Sequence, residues 1–368
     1  MRVLVAMSGG VDSSVAAALL AEQGHDVVGV TLKLWGGASD SGCCSVSDVD
    51  DARRVADRLG IDHHVFAFAD EFTAHVVEPY VAAHAAGRTP NPCIECNRHL
   101  KFDRLLRRAV ALGFDAVATG HHARIVERPD GTRRLARGAD VDKDQSYVLH
   151  MLDQAALART LLPIGSMTKD EVRARAARLG LGTAAKPDSQ DVCFITRGGR
   201  GAFLGERIPL RPGRVVDTSG AEVGRVDAVE LVTIGQRRGL ALAGAPAPRY
   251  ALEVDVAAGT VVVGDVDELR GDETVLEEVA WADGPVRGAV LAQGSAHGRA
   301  LPAIVEERPE PEPAPEPVAA SVPAPRKGAL VGRGRAVVRW SEPRRRIAPG
   351  QTVVLYDGDE VVGGGIAR

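Results

Sequence analysis

The opening third of the chain alternates short apolar runs with longer stretches of helical spacing. Val3 to Ala6 reads as a strand, about Ser13 to Gln23 as a helix, Val27 to Leu32 as a strand and about Ser47 to Leu59 as a helix. The rhythm continues through Val65 to Phe68, through helical spacing around Glu71 to His84 and from about Arg98 to Leu112, and through Ala116 to Thr119. Repeated βα units predict an α/β fold with a doubly wound parallel sheet. Thr168 to Glu171 reads as a capping box that opens one more helix, which ends before Gly180.

From about Ile208 the period shortens. Arg214 to Val216, Leu231 to Thr233, Tyr250 to Val254 and Val261 to Val263 are β-rich runs punctuated by glycine, which predict a small β domain. Arg335 to Trp340, Thr352 to Tyr356 and Glu360 to Val362, the last two joined through Asp357-Gly358, predict a C-terminal β-barrel-like domain. The expected division is residues 1–205 for the α/β unit, 206–265 for the central β domain and 266–368 for the barrel. Seven of the 21 prolines fall between residues 309 and 325, interleaved with Glu310, Glu312 and Glu316, so an extended, solvated insertion is expected there.

Composition narrows the class. With 368 residues, 45% hydrophobic and 26% charged, the chain has enough apolar material for two or three cores, which excludes wholesale disorder. A net charge of -4 excludes coating of nucleic acid by bulk positive charge, although local basic patches remain open. No run of 18 apolar residues occurs and Val3 to Met7 is too short for an export signal, so a cytoplasmic protein without a membrane partner is expected. Five cysteines without an export signal point to thiol chemistry or metal binding rather than to a disulfide framework.

The first strand runs straight into Ser8-Gly9-Gly10-Val11-Asp12-Ser13-Ser14 and then into an alanine-rich helix. Glycines let a backbone approach phosphate closely, and a helix N-terminus supplies N–H donors and the positive end of a dipole, so the turn fits an anion. A Walker-type lysine before Ser/Thr is missing, and the spacing is not GxGxxG. The stretch resembles instead the PP-loop, the SGGxDS pyrophosphate-binding signature of the ATP pyrophosphatase superfamily, whose fold is adenine nucleotide alpha-hydrolase-like. That resemblance implies ATP cleaved between its α- and β-phosphates, an adenylated substrate oxygen, and Asp12 helping to hold the nucleotide with Mg2+. A tight turn capped by Ser13 or Ser14 is the purely structural alternative.

Asn91-Pro92-Cys93-Ile94-Glu95-Cys96-Asn97 places Cys96 just ahead of the helix expected from Arg98, where the dipole favours thiolate. Cys193 sits in the polar loop Asp188 to Phe194, so neither sulfur is expected in a core. Cys43 and Cys44 are left evenly between core and function.

With these residues the resemblance sharpens to one family, the bacterial tRNA-specific 2-thiouridylases. It rests on Met7 to Ser14, Thr89 to Phe102, Thr119-Gly120-His121-His122, Lys143-Asp144-Gln145-Ser146-Tyr147, Lys186 to Phe194, Thr233 to Leu240 and Ala348-Pro349-Gly350-Gln351, in family order. It implies ATP-dependent sulfur transfer to C2 of the wobble uridine of tRNA, with Cys193 carrying a persulfide, Cys96 as partner nucleophile and Asp12 at the nucleotide. It places ATP on Ala6, Met7, Ser8, Gly9, Gly10, Val11, Asp12, Ser13, Leu32 and Gly120. It places tRNA on Asn91, Pro92, Cys93, His121, Lys143, Asp144, Gln145 and Gln351. A cysteine desulfurase or sulfur-relay protein is the implied sulfur donor.

The chain departs from the family in two places. Cys93 stands where many relatives have Asp, and Cys93, Cys96 and Cys193 together form a plausible set for a 4Fe-4S cluster with one open iron. Structural zinc, with His99 or His121 as a fourth ligand, is a weaker variant of that idea. The stretch Leu291 to Arg299 lacks the family's usual arginines, while Arg333, Arg335, Arg339 and Arg344 to Arg346 form a basic cluster suited to phosphates or to solvent. Two rival functions stay open: a ligase that adenylates a small-molecule carboxylate, which needs neither Cys96 nor Cys193, and a catalytically silent tRNA-binding protein.

Overall fold

Unbroken apolar runs bury the central strands on both faces, as a parallel sheet covered by helices requires. In the computed structural model, which describes residues 1–35, 45–188, 192–195, 198–242, 247–308 and 334–368, β1 (Arg2–Ala6) is flanked by β2 (Asp26–Lys33). The sheet continues with β3 (Asp62–Ala67) and β4 (Ala116–Thr119). A hairpin of β5 (Ala123–Glu127) and β6 (Arg133–Arg137) then leaves it, and β7 (Thr160–Leu161) completes it in the order β3-β2-β1-β4-β7, all parallel. Cys43, Cys44, Arg333 and the expected insertion at 309–325 lie outside the described residues.

The pleat sends Val3 and Val5 to one face and Leu4 to the other. Val3 and Val5 meet α1 (Val11–Glu22), α2 (Val46–Leu59) and the Lys169–Arg178 helix. Leu4 meets helical residues 69–85 and 92–111. Both helical stretches contain a widened π-type segment, over Thr73–Val77 and Cys96–Leu105. The second helix begins at Pro92 rather than near Arg98. Asn91 caps it by accepting from the Cys93 N–H at 3.0 Å, and proline suits the first turn because that turn needs no intrahelical N–H. Cys96 therefore lies inside the helix and is buried, contrary to the expectation of a sulfur ahead of a helix and outside the core.

The central domain is a four-stranded sheet of β8 (Gly213–Asp217), β9 (Glu222–Val226), β10 (Tyr250–Asp255) and β11 (Thr260–Gly264), ordered β10-β11-β8-β9. The expected strand at Leu231 to Thr233 is not formed. Val229–Leu231 is a 3-10 turn, which turns the buried Glu230 carboxylate toward Arg211 at 2.9 Å.

The C-terminal strands are β12 (Arg270–Trp281), β13 (Gly288–Gln293), β14 (Leu301–Arg308), β15 (Gly334–Arg345), β16 (Thr352–Asp357) and β17 (Glu360–Ala367). They pair in the order β12-β15-β14-β13-β16-β17 and close through β12 with β17, which leaves this barrel no open edge. The hairpin from the first domain reaches across and pairs with β17, Ala136 opposite Glu360. The glycine run of β17 reflects crowding there: a Cβ on Gly363 would lie 2.6 Å from Trp281, and one on Gly364 would lie 2.5 Å from His150 of the first domain.

Burial, reinforced by nearby arginines, lowers His84 and His150 to about 4, and burial also takes His121 well below its ordinary value. Unfolded imidazoles titrate near 6.5. The unfolded chain therefore binds protons that the native state refuses, so this stability is complete above pH 6.5 and is lost as pH falls toward 4. Urea unfolding should weaken by roughly 1.4 kcal/mol per pH unit per ring across that window. A slope left unchanged by both His84→Asn and His150→Asn would show that these rings titrate alike in the two states.

Candidate active site

The site begins where β1 hands over to α1. Gly9 takes φ +71, and a Cβ there would sit 2.2 Å from the Asp48 carbonyl oxygen, so this turn requires glycine. No side chain caps the first turn of α1, so no side-chain oxygen takes up its first amides. The Ser8 N–H donates to Ser13 Oγ at 3.2 Å, while the Ser13 and Ser14 hydroxyls donate back to the Gly10 carbonyl at 3.2 and 2.8 Å. Gly120, just beyond β4, crosses the same turn so closely that a Cβ would meet Ser13 N at 2.5 Å. Residues expected at the nucleotide from Ala6 to Ser13 are thus brought beside Gly120. Met7 and Val11 send their side chains into the core, so only their backbone faces the turn.

Asp12 is the charged centre of this turn. Lys169 Nζ meets its two oxygens at 2.9 and 2.7 Å, and His122 Nε2 lies 3.1 Å from Oδ1. Burial alone would raise the Asp12 carboxyl, but hydrogen bonds from His122 and Lys169 outweigh it and hold the group below its ordinary value. The sequence reading missed Lys169. Its only local signal was the capping box, in which Thr168 accepts from the Glu171 N–H. Lys186 fixes the turn from the other side through the Gly9 carbonyl at 3.0 Å and through Asp48 and Asp51, each at 2.7 Å.

Cys96 lies in an apolar cluster with Leu32, Leu34 and Phe194, and both Ala6 and Cys193 pack against that cluster. The end of β1 at Ala6, the expected Leu32 contact and both cysteines thus belong to or border one extended core on this side of the sheet. Cys93 is exposed on the first turn of its helix. Among the described residues no three His, Cys, Asp or Glu side chains gather as a metal-holding set, so Cys93, Cys96 and Cys193 are not arranged as cluster ligands.

Residues expected at tRNA occupy mixed positions. Lys143 Nζ meets Asp188 at 2.9 Å. The Asp144 carboxylate turns inward, accepting from Arg137 Nη1 at 2.8 Å, from the Gly138 N–H and from Ser146. Gln145 Oε1 accepts the His122 N–H at 2.9 Å. His121 is buried, with Nδ1 2.7 Å from Thr119 Oγ1. Gln351 donates from the barrel to the Thr89 carbonyl, directly ahead of Asn91 and Pro92. On the barrel, Arg339 is paired with Glu273 and Glu306, whereas Arg344 lies over Trp340 at 4.1 Å.

Three family models match in order: the tRNA methyl transferase HUP domain over residues 1–197, the tRNA methyl transferase PRC-barrel domain over 201–265, and the aminomethyltransferase beta-barrel domain over 320–367. The chain is 46% identical to the tRNA-specific 2-thiouridylase MnmA of Chloroflexus aggregans, over 100% of this chain and 98% of that protein. It is 47% identical to the protein of the same name from Mycolicibacterium smegmatis, over 98% of each. Among solved structures, the U34-tRNA thiolase NcsA of Methanococcus maripaludis aligns over 56% of this chain and 63% of its own, at 19% identity and a TM-score of 0.35, a likeness too partial to bear on chemistry. No helix among the described residues is long and apolar enough to cross a membrane. On full-length identity and three matching domains in order, this chain belongs to the family of tRNA-specific 2-thiouridylases.

Proposed function

We propose that the protein uses ATP to replace the C2 oxygen of the wobble uridine of tRNA by sulfur, working as a cytoplasmic tRNA-uridine 2-sulfurtransferase. The observation that carries this reading is the single apolar cluster shared by Cys96, Cys193 and the edge of the α1 turn. A uridine carbonyl oxygen leaves poorly, so it first attacks the α-phosphate and pyrophosphate departs. The uncapped amides of α1, together with Lys169, face the charge that develops on the departing pyrophosphate. Mg2+ would accompany the nucleotide and neutralise phosphate charge; Asp12 offers it a hard oxygen ligand, so the residues present fit the ion.

Sulfur then arrives as a persulfide on Cys193. Its outer sulfur bonds to C2 and AMP leaves with the former carbonyl oxygen. Cys96 thiolate attacks Cys193 Sγ, which breaks the old S–S bond and leaves a Cys96–Cys193 disulfide. Two electrons from an external thiol must reopen that disulfide, and a cysteine desulfurase or relay protein reloads Cys193. This assignment gives residues 1–205 the chemistry and gives 206–265 and 266–368 supporting roles, with the barrel contacting tRNA. The route proposed here uses Cys96 and Cys193 as thiols and takes no step through iron.

Unmodified tRNA, ATP, L-cysteine with a cysteine desulfurase as persulfide donor, and a reducing thiol should yield 2-thiouridine in digested tRNA, together with one AMP per sulfur, in wild type and in Cys93→Ser. AMP formation with a small carboxylic acid and no thiolated tRNA would favour the ligase reading.

A further inference from the structure

One guanidinium ties together two segments that lie in different domains. The turn carrying Lys143, Asp144 and Gln145 belongs to the first domain, and the stretch Leu291 to Arg299 belongs to the barrel. Arg137, at the end of β6, reaches both: Nη1 donates to Asp144 Oδ2 at 2.8 Å and Nη2 donates to Gln293 Oε1 at 2.9 Å. Its guanidinium lies 3.8 Å from the centre of the Tyr356 ring, whose hydroxyl is 3.2 Å from Ser146 Oγ. Each end of this bridge is itself fixed. The Asp144 carboxylate also accepts from the N–H groups of Gly138 and Ser146, both at 3.0 Å, and from the Ser146 hydroxyl at 2.8 Å. Its side chain is only 6% exposed, so those oxygens serve the protein rather than RNA. Gln145 fastens the turn to His122, accepting its N–H at 2.9 Å and donating its own N–H to the His122 carbonyl at 2.8 Å. On the barrel side, Gln293 Nε2 donates to the carbonyls of Ser295 and Ala296, at 2.9 and 3.3 Å. The Arg137 and Asp144 charges cancel, and the bridge depends on the planar fork, which holds two partners in fixed directions.

We propose that Arg137 is a positioning residue that sets the register between the 143–145 turn and the barrel stretch beginning at Gln293, and so sets tRNA affinity without entering the chemistry. The inference rests on the proposed function, which puts tRNA on the first domain and on the barrel. Two contact segments on one RNA act as a bivalent binder. Once the first is engaged, the second gains a high effective concentration only while its spacing matches the RNA. Arg137 fixes that spacing across the joint between the domains. Other contacts also join them, among them Ala136 opposite Glu360 and the Tyr147 hydroxyl donating to the Thr352 carbonyl at 2.8 Å. Losing the bridge therefore loosens local alignment and leaves the domains docked.

The test is the Kd of unmodified tRNA, by filter binding, together with thiolation kinetics, on the full-length protein, Arg137→Lys, Gln293→Met and the double variant. Lysine keeps a charge beside Asp144 but offers a single point of contact, and methionine leaves Arg137 without its acceptor on the barrel. Each single variant should raise Kd and KM for tRNA about tenfold, the lower end for loss of one charge-assisted hydrogen bond. The kcat at saturating tRNA and the KM for ATP should stay at wild-type values. Because both substitutions break the same bridge, the double variant should bind no more weakly than the weaker single one, a coupling that independent groups do not show. A role in folding alone would lower the midpoint of thermal unfolding and leave the Kd for tRNA unmoved. Should Arg137→Lys fail to fold, Gln293→Met, which leaves the Arg137–Asp144 pair in place, carries the same expectation by itself. Unchanged tRNA affinity in a folded single variant, or losses that add in the double variant, overturns the inference. Coupled loss of tRNA binding in a protein that makes no thiouridine would keep Arg137 in its role and overturn the proposed function instead; a wild type that binds no tRNA overturns both.

Discussion

Replacing Cys193 by serine is expected to reduce tRNA thiolation to background, a loss of at least about a thousandfold, since a hydroxyl cannot carry or release persulfide sulfur. ATP-dependent release of pyrophosphate in the presence of tRNA should survive, because the α1 turn and Lys169 are untouched. Cys96→Ser should be equally inactive in turnover, yet its Cys193 should still accept sulfur from a donor, and the persulfide should then persist for want of an attacking thiolate. Mass spectrometry of the Cys193 peptide separates the two variants. Full thiolation by either one would remove that cysteine from the chemistry and revive the ligase reading. Cys93→Ser supplies the contrast, because that exposed thiol lies outside the shared apolar cluster and should be dispensable.

The second large effect concerns a residue that carries no motif. Lys169→Met should lower kcat/KM for ATP by about a hundredfold or more, the usual consequence of deleting one preorganised charge from a site where negative charge develops. The loss should be seen in pyrophosphate release as well as in thiolation, which distinguishes it from the cysteine variants. Lys169→Arg keeps the charge but changes its shape, so partial recovery is expected. The variant also strips a cation from both Asp12 and Asp188. Thermal unfolding, run alongside the kinetics, tells a folding defect from a kinetic one. Wild-type ATP kinetics in Lys169→Met would reduce the lysine to an ion-pair role.

What the sequence determined by itself was local. The βα rhythm, the glycine turn at Gly9 and Gly10, the capping box at Thr168 and the Asp357-Gly358 hairpin are each set by residues within one or two elements, and each forms as expected. Family-wide motifs also pointed to Cys96 and Cys193, the two cysteines proposed to carry the sulfur chemistry. Where the local reading failed, a stronger partner was present: Asn91 and Pro92 started a helix ahead of the expected one, and buried Glu230 drew its segment out of strand geometry toward Arg211.

Tertiary structure decided the rest. Lys169 meets Asp12 across 157 positions, and Lys143 meets Asp188 across 45, so neither pair leaves a trace in spacing or composition. The inward turn of Asp144 toward Arg137, the reach of Gln351 to Thr89 and the joining of Cys96 and Cys193 through one apolar cluster are likewise products of domain packing. The physical reason is that a side chain's chemistry depends on its neighbours' charge and on its access to water. Sequence pattern supplies the residue types, but only the folded chain selects which charges and sulfurs share one low-dielectric site.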